Sequence, residues 1–286
     1  MESCVKTKIK LRINVALRSI GFQIISTKTF EKLLDVNLKN AAIERWTAQK
    51  INHEIKDSVL SQIISDKSQS QIQQDALVST LAQMSNEEER FFVEFGATDG
   101  INLSNTYALE KHWNWTGILV EPGKNWHQEL KNNRSSIVDH RCVWSISGES
   151  ILFHENRIGE LSGVLGNIGR FKIIARRLKK KSYNVETVSL QDLLKQYNAP
   201  ERITYLSIDT EGSEYEIIKD FDFNIYRPMI ISIEHNYSQD KQSVFDLLTK
   251  FRYKQIFSEI SEWDAWFVDI ENTELDPYLK NADITI

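Results

Sequence analysis

A short apolar segment that leads directly into a glycine-rich turn constrains the fold more than any other feature of this sequence. Residues 91–100 read FFVEFGATDG, and apolar residues at helical spacing follow them. This pattern predicts a buried strand, a turn in which glycine lets a ligand approach the backbone closely, and the start of a helix. A second apolar segment, 117–120, ends in Glu121 and Pro122. Such an order is typical of a doubly wound sheet that binds an adenosine-containing cofactor.

The turn itself bears on which cofactor would bind. A dinucleotide site has the pattern G-x-G-x-x-G, which brings helix amides close to a pyrophosphate. This turn has only Gly96 and Gly100, at a different spacing, and it includes Asp99. A carboxylate repels a pyrophosphate but attracts a sulfonium and an ammonium group. The turn therefore favours S-adenosylmethionine over NAD, whereas Glu121 would accept hydrogen bonds from ribose hydroxyls in either case.

Composition and charge narrow the class of protein. The chain has 286 residues, of which 41% are hydrophobic and 26% charged, which suits one large soluble domain with an appendage. Its net charge of −5 argues against a nucleic-acid partner. Cys4 and Cys142 lie far apart in the sequence, so we expect neither a zinc site nor a disulfide framework. We therefore expect a reducing compartment and a cytoplasmic location. The sequence has no apolar run of membrane-spanning length and no signal-peptide pattern.

Residues 1–88 differ from the rest, and we predict that they form a helical N-terminal arm or lid ahead of a main domain at 89–286. Apolar residues at helical spacing over 43–64 predict a helix with one apolar stripe, and 72–84 repeats the pattern. The stripe would suit packing on the main domain or a homodimer. Basic and apolar residues also alternate over 5–18, which would suit either a peripheral membrane contact or a solvated helix face.

From residue 89 onward short apolar strands alternate with helices, which predicts a mostly parallel sheet with right-handed crossovers. The predicted strands are 91–95, 117–120, 136–143, 204–208 and 229–233. The predicted helices are 104–111, 124–132, 190–196, 213–219 and 241–251. Two last apolar segments, 253–260 and 264–269, have no helix between them and predict an antiparallel hairpin at the sheet edge.

One insertion, 159–181, breaks this alternation. Its second half, 169–181, carries seven basic side chains and no acidic one, and Phe171, Ile174 and Leu178 have helical spacing. We predict a basic helix here. It would be a solvated surface, a lid over the site, or a contact for an acidic substrate.

Two further strands run into polar residues. The strand 204–208 is followed by Asp209 and Glu211, and the strand 229–233 by Glu234 and His235. Because active sites of doubly wound sheets lie beyond the carboxyl ends of the strands, we expect these side chains in one crevice. His235 could act as a general base, could complete a divalent-metal site with the neighbouring acids, or could be a structural histidine.

These blocks together resemble the FkbM-type methyltransferase family. The matching segments lie in the same order and spacing over residues 88–270, and they are 92–100, 119–122, 188–194, 206–214 and 233–236. The resemblance implies a class I methyltransferase fold, which is Rossmann-like with seven strands. It also implies S-adenosylmethionine as donor and O-methylation of a sugar or another hydroxyl.

Positions in the resemblance suggest roles for individual residues. Those expected at the donor are Glu94, Gly96, Ala97, Thr98, Asp99, Gly100, Asn105, Glu121, Pro122, Arg141, Cys142 and Asp209. The expected catalytic residues are Asp209, Glu211 and His235. If Mg²⁺ or another divalent metal binds, as in some similar sugar O-methyltransferases, the expected ligands are Asp209, Glu234 and His235.

Three functions therefore remain open. The first is a methyltransferase acting on a glycan or small-molecule acceptor. The second is a non-catalytic Rossmann-like binding or scaffold protein that works through its helical arm, although so many buried carboxylates would be costly in a scaffold. The third, an NAD-dependent oxidoreductase, is disfavoured by the turn sequence.

Overall fold

The computed structural model describes residues 27–85, 89–156, 163–164, 180–235 and 240–279. The strands in these ranges are β1 Phe91–Phe95, β2 Thr116–Val120, β3 Ile137–Asp139, β4 Cys142–Trp144, β5 Ser150–Asn156, β6 Gly163–Val164, β7 Lys180–Ser189, β8 Arg202–Ile208, β9 Arg227–Glu234, β10 Tyr253–Ile256 and β11 Asp264–Asp269. The helices are α1 Thr27–Ala48, α2 His53–Ile64, α3 Gln74–Met84, α4 Tyr107–Trp113, α5 His127–Asn133, α6 Leu190–Gln196, α7 Glu214–Ile218, α8 Lys241–Lys250 and α9 Asp276–Leu279. A short 3₁₀ turn, Thr273–Leu275, precedes α9.

Seven strands form the central sheet in the order β10-β11-β9-β8-β1-β2-β3. Strands β3, β2, β1, β8 and β9 are parallel, and β11 runs antiparallel between β9 and β10. The mostly parallel sheet with an antiparallel C-terminal hairpin is thus confirmed. The chain order changes direction where β1 meets β2 on one side and β8 on the other, which makes the carboxyl end of β1 a topological switch point.

The N-terminal helices share a core with the sheet. Trp46 of α1 is fully buried, with its ring stacked 6.4 Å from that of Trp266 in β11. Ile55 and Val59 of α2 are fully buried in the same cluster as Phe92 of β1. The predicted apolar stripe is therefore buried largely within the chain itself. None of the helices in the described ranges is long and apolar enough to cross a bilayer.

A second sheet, which the sequence patterns did not indicate, lies between β3 and α6 in the chain. It has the order β4-β7-β5-β6, with β4 parallel to β7, and with β5 antiparallel to both β7 and β6. The prediction of one strand over 136–143 is wrong, because the chain turns after Asp139. The Asp139 carboxylate accepts a hydrogen bond from the Arg141 amide (2.8 Å), and Cys142 then begins β4.

The basic insertion is only partly described. Lys180 and Lys181 belong to β7, so the helix prediction is wrong at those two positions. The rest of 169–181, which includes Phe171, Ile174 and Leu178, lies outside the described residues, as does the basic segment 5–18.

Candidate active site

The buried carboxyl group of Glu121 follows β2. It accepts hydrogen bonds from the amides of Thr98 (2.9 Å) and Gly123 (2.6 Å). A Cβ atom on Gly123 would lie 2.6 Å from the carboxyl oxygen, so a side chain there would displace it. Burial raises the pKa of Glu121 to about 7 despite these two donors, and the charge of Glu155 adds to the rise. Further hydroxyl donors from a ligand would favour the ionised form.

The turn after β1 packs tightly against the end of β8. Gly96 has φ +79°, and a Cβ atom there would lie 2.0 Å from the carbonyl oxygen of Asp209. A Cβ atom on Gly100 would lie 2.7 Å from the side chains of Arg134 and Leu130. Both glycines are therefore required by packing within the chain, whereas the sequence argument gave close approach of a ligand as the reason.

The carboxyl groups of Asp99 and Glu94 are engaged by the chain itself. Asp99 accepts hydrogen bonds from the amides of Ile101 and Asn102, both at 2.8 Å. Glu94 accepts hydrogen bonds from the Asn105 amide (2.7 Å) and the Thr106 hydroxyl (2.5 Å). These two acids thus order the loop that leads into α4.

Asn105 is held with one polar atom unused. Its Nδ2 donates to the hydroxyl of Ser207 in β8 (2.9 Å). Its Oδ1 is buried and accepts no hydrogen bond from any described residue. Because a buried acceptor without a donor is costly, this atom fits a ligand donor such as an ammonium group.

Arg141 and Cys142, expected beside the adenine, have partners of their own. Arg141 pairs with Asp139 (2.6 Å) and donates to Gln196 (2.9 Å). Burial, with a contribution from the charge of Glu121, raises the pKa of Cys142 to about 12, so the thiol stays protonated at physiological pH. These contacts leave backbone atoms as the available groups at these two positions.

Three carboxyl groups come together where β8 and β9 end. Asp209, Glu211 and Glu234 each offer an oxygen, and these oxygens lie within 4.8 Å of one another. Asp209 is exposed at the edge of the crevice, and Glu211 has φ +60° in the turn that follows. The Oε2 atom of Glu234 is buried without a hydrogen-bond partner among the described residues.

Burial and neighbouring charges raise the pKa values of two acids in this cluster. The pKa of Glu234 is raised by burial and then by the charge of Asp209, to which the protonated Glu234 carboxyl donates a hydrogen bond. The pKa of Asp209 is also raised, because its carboxyl group is desolvated although the residue as a whole is exposed, and the charge of Glu94 adds to the rise. Asp264 begins β11 directly opposite Glu234, and burial together with Asp209 raises its pKa to about 7. The unliganded cluster therefore holds protons that isolated carboxyl groups would release.

His235 lies apart from this cluster. It directly follows Glu234, the last residue of β9, and it is not among the side chains whose ligand atoms meet within 4.8 Å. Its amide donates to the carbonyl of Trp263 (2.9 Å), and its ring lies 6.4 Å from that of Phe245. Burial, with the charge of Lys241, lowers the pKa of His235 to about 4, so the ring is neutral at physiological pH. Its roles as base and metal ligand stay predictions.

Two residues near the cluster were absent from the sequence argument. Asp264 faces Glu234 across the β9–β11 pair, and the register of the predicted hairpin could have indicated it. The Nε2 atom of Gln74, at the start of α3, donates to Asp264 at 2.8 Å. No local pattern indicates this contact, because the two residues are 190 positions apart.

Known proteins similar to this chain include one solved structure and one protein family. The chain resembles a solved structure, a precorrin-6y C5,15-methyltransferase from Geobacter metallireducens GS-15, with 10% identity, 67% of this chain and 85% of that chain covered, and a TM-score of 0.33. A TM-score this low carries no argument about activity. No curated protein matches. The model of the methyltransferase FkbM domain matches residues 94–283, which are 190 of the 286 residues, and the chain therefore belongs to the FkbM methyltransferase family.

Proposed function

We propose that this methyltransferase transfers a methyl group from S-adenosylmethionine to a hydroxyl oxygen of a sugar, glycan or related metabolite. The observation that carries the proposal is the cluster of Asp209, Glu211 and Glu234 at the ends of β8 and β9. The cluster and the buried Glu121 carboxyl both lie at the carboxyl ends of the strands, on opposite sides of the switch point. One edge of the sheet thus offers acids for both a donor and an acceptor.

The residues on the donor side fit a cationic nucleoside. When bound, S-adenosylmethionine supplies a methyl group on a positively charged sulfur. The Glu121 carboxylate would accept hydrogen bonds from the ribose hydroxyls. These bonds would offset the cost of ionising Glu121 in a buried position. Asn105 Oδ1 would accept a hydrogen bond from the ammonium group. The acids of the crevice would attract the positive charge.

Residues on the acceptor side would take up the proton that the reaction releases. As the new oxygen–carbon bond forms and the sulfur–carbon bond breaks, the acceptor hydroxyl loses its proton. Asp209 is suited to receive it, because its raised pKa makes the carboxylate a stronger base than an ordinary aspartate. Glu211 would help to hold the acceptor. His235 is neutral, but its lowered pKa makes it a weaker base than an ordinary histidine, and it lies outside the cluster.

The cluster also fits a divalent metal ion. Asp209, Glu211 and Glu234 offer the carboxylate oxygens that Mg²⁺ prefers. A cation would offset the burial and the charge of Asp209 that raise the pKa of Glu234. When bound, the metal would hold the acceptor hydroxyl and lower its pKa. Glu211 takes the place in this set that the sequence argument gave to His235.

Calorimetry tests the donor first. S-adenosylmethionine and S-adenosylhomocysteine would be titrated into wild type, Glu121→Ala and the exposed-residue control Glu149→Ala, with and without Mg²⁺. We expect binding by wild type and the control and its loss in Glu121→Ala. NAD would be titrated in the same way, and binding of NAD instead of these two ligands would favour the oxidoreductase. No binding by wild type in any condition would refute the proposal and favour the scaffold that works through its helices.

The acceptor, the assembly and the location are separate proposals. Methyl transfer to a panel of sugars and other hydroxylated compounds would test the acceptor class. A homodimer would need a surface other than the stripe of α1 and α2, since that stripe is largely buried in the chain. Light scattering would test it. Vesicle sedimentation and cell fractionation would test the peripheral membrane contact and the cytoplasmic location.

A further inference from the structure

The second sheet presents one face to the backbone that follows Glu121. Phe153 of β5 lies opposite Tyr183 of β7, with their rings 5.8 Å apart. Because side chains alternate along a strand, Glu155 lies on the same face as Phe153. This face thus offers an aromatic hydroxyl and a carboxyl group side by side.

Tyr183 holds the segment directly after Glu121. Its hydroxyl accepts a hydrogen bond from the Lys124 amide (2.9 Å) and donates one to the Pro122 carbonyl (3.3 Å). The Lys124 ammonium lies 4.3 Å from the centre of the Tyr183 ring. One side chain of the inserted sheet therefore fixes two peptide groups of the turn that orients Glu121.

Glu155 holds the next residue of the same turn. It is buried, and its carboxyl accepts a hydrogen bond from the Asn125 amide (2.8 Å). No arginine or lysine pairs with Glu155 among the described residues, and a buried carboxyl is costly unless it is hydrogen-bonded, so the Asn125 amide stabilises it. The charge of Glu155 also raises the pKa of Glu121.

We propose that the inserted sheet positions the nucleoside of the methyl donor, because Tyr183 and Glu155 fix residues 122–125 so that Glu121 meets the ribose. The inference rests on the proposed function and adds an element to it. Tyr183 and Glu155 act through Glu121 and are positioning residues, since neither is required to touch the ligand.

A pH profile of binding reports on this arrangement. The groups that face Glu121 are Glu155 from β5, Tyr183 from β7, Cys142 from β4, and the rings of His127 and His140, which lie near the Glu121 backbone carbonyl. Ribose hydroxyls donate to the ionised carboxyl, so affinity falls as pH falls through about 7, where Glu121 gains its proton. Removing the charge of Glu155 moves the midpoint to lower pH.

The experiment is calorimetry of S-adenosylhomocysteine with the full chain between about pH 5.5 and 8.5. Tyr183→Phe keeps the ring and removes the two hydrogen bonds, and we expect about tenfold weaker binding at pH 8. Glu155→Gln keeps an oxygen that can accept from the Asn125 amide, and we expect its binding midpoint at lower pH. A purely structural role would not move that midpoint.

Matched controls separate these effects from general ones. Tyr253→Phe removes a tyrosine hydroxyl that donates to the Pro228 carbonyl (2.7 Å) at the opposite edge of the central sheet. Glu149→Gln removes an exposed charge next to β5. Both controls should bind like wild type. Thermal melts establish that each variant is folded at the assay temperature.

The outcomes distinguish the inference from the proposed function. Wild-type binding with unchanged affinity in Tyr183→Phe and an unmoved midpoint in Glu155→Gln would overturn the inference alone. A wild type that binds no S-adenosylhomocysteine would overturn the proposed function and the inference with it. Weaker binding in Tyr183→Phe, together with a lower binding midpoint in Glu155→Gln and controls that bind like wild type, would support the inference.

Discussion

Replacing Glu234 by glutamine should stabilise the metal-free protein at pH 8. The substitution keeps the size of the side chain and removes an acid that must either hold a proton or carry a charge facing Asp209 in the acidic cluster. It also provides an amide that can donate to the Asp209 carboxylate without an added proton. Catalytic clusters often carry such a cost in stability.

The magnitude follows from the separation of the carboxyl oxygens. At 4.8 Å Coulomb's law gives about 3.5 kcal/mol for an effective dielectric constant of about 20, and about 0.9 kcal/mol for about 80. Asp209 is exposed, so the true value lies toward the lower end. We expect Glu234→Gln to raise the free energy of unfolding by about 1–2 kcal/mol.

The sign of the pH dependence follows from the raised pKa. Glu234 has a higher pKa in the folded protein than its ordinary value of 4.5, so the unfolded chain releases its proton first as pH rises. The stability of wild type therefore falls as pH rises above that value, and the glutamine variant is spared this loss. The stabilisation should be present at pH 8 and nearly absent at pH 4.5.

Urea denaturation in the presence of a chelator measures both values. Glu259→Gln, a substitution at an exposed residue, is the control and should match wild type at both pH values. With Mg²⁺ in place of the chelator, wild type should gain stability and Glu234→Gln should lose most of that gain. A variant that is less stable than wild type at pH 8, or equally stabilised at both pH values, would refute the argument from repulsion.

Three further substitutions and modifications test other parts of the structure. Gly96→Ala should cost more than about 2 kcal/mol and weaken donor binding in calorimetry, since its Cβ would lie 2.0 Å from the Asp209 carbonyl oxygen; a neutral effect would contradict the tight packing. Arg134→Met should cost about 3–5 kcal/mol in urea denaturation, because it removes the fully buried cation that pairs with both Glu110 and Glu94. Cys142 should resist iodoacetamide in the folded Cys4→Ser variant at pH 8, since burial raises its pKa to about 12; rapid labelling without urea would show that the thiol is accessible.

The central sheet could be predicted because its strands have a local signature. β1 and β8 are continuous apolar runs, as expected of parallel strands covered on both faces. The second sheet has no such signature. β5 includes the adjacent polar residues His154 and Glu155, and β7 begins with Lys180, within the basic segment that resembled a helix. Their strand conformation depends on partners distant in the chain, which propensity does not encode.

The positions of the acids in the candidate site could be predicted from the sequence, but their hydrogen-bond partners could not. The end of a strand can be read from the sequence, and this brought Asp209 and Glu234 to one edge. The donors to Glu94 come from the loop before α4, and their direction was not readable. Adjacency in the sequence predicts that His235 lies beside Glu234, but the side chains that meet at the cluster are those of Asp209, Glu211 and Glu234.

The pKa shifts separate the structural acids from those suited to binding. Despite burial, Arg141 lowers the pKa of Asp139, and hydrogen bonds together with Arg134 lower that of Glu110 to about 2. The donors to the Glu121 carboxyl among the described residues are two uncharged amides, and burial raises its pKa to about 7. A buried acid whose charge the chain leaves unmatched gains most from an added donor or cation. The stabilisation of the folded protein by S-adenosylhomocysteine should therefore be larger at pH 8 than at pH 5.5, and Glu121→Gln should abolish that difference in thermal melts.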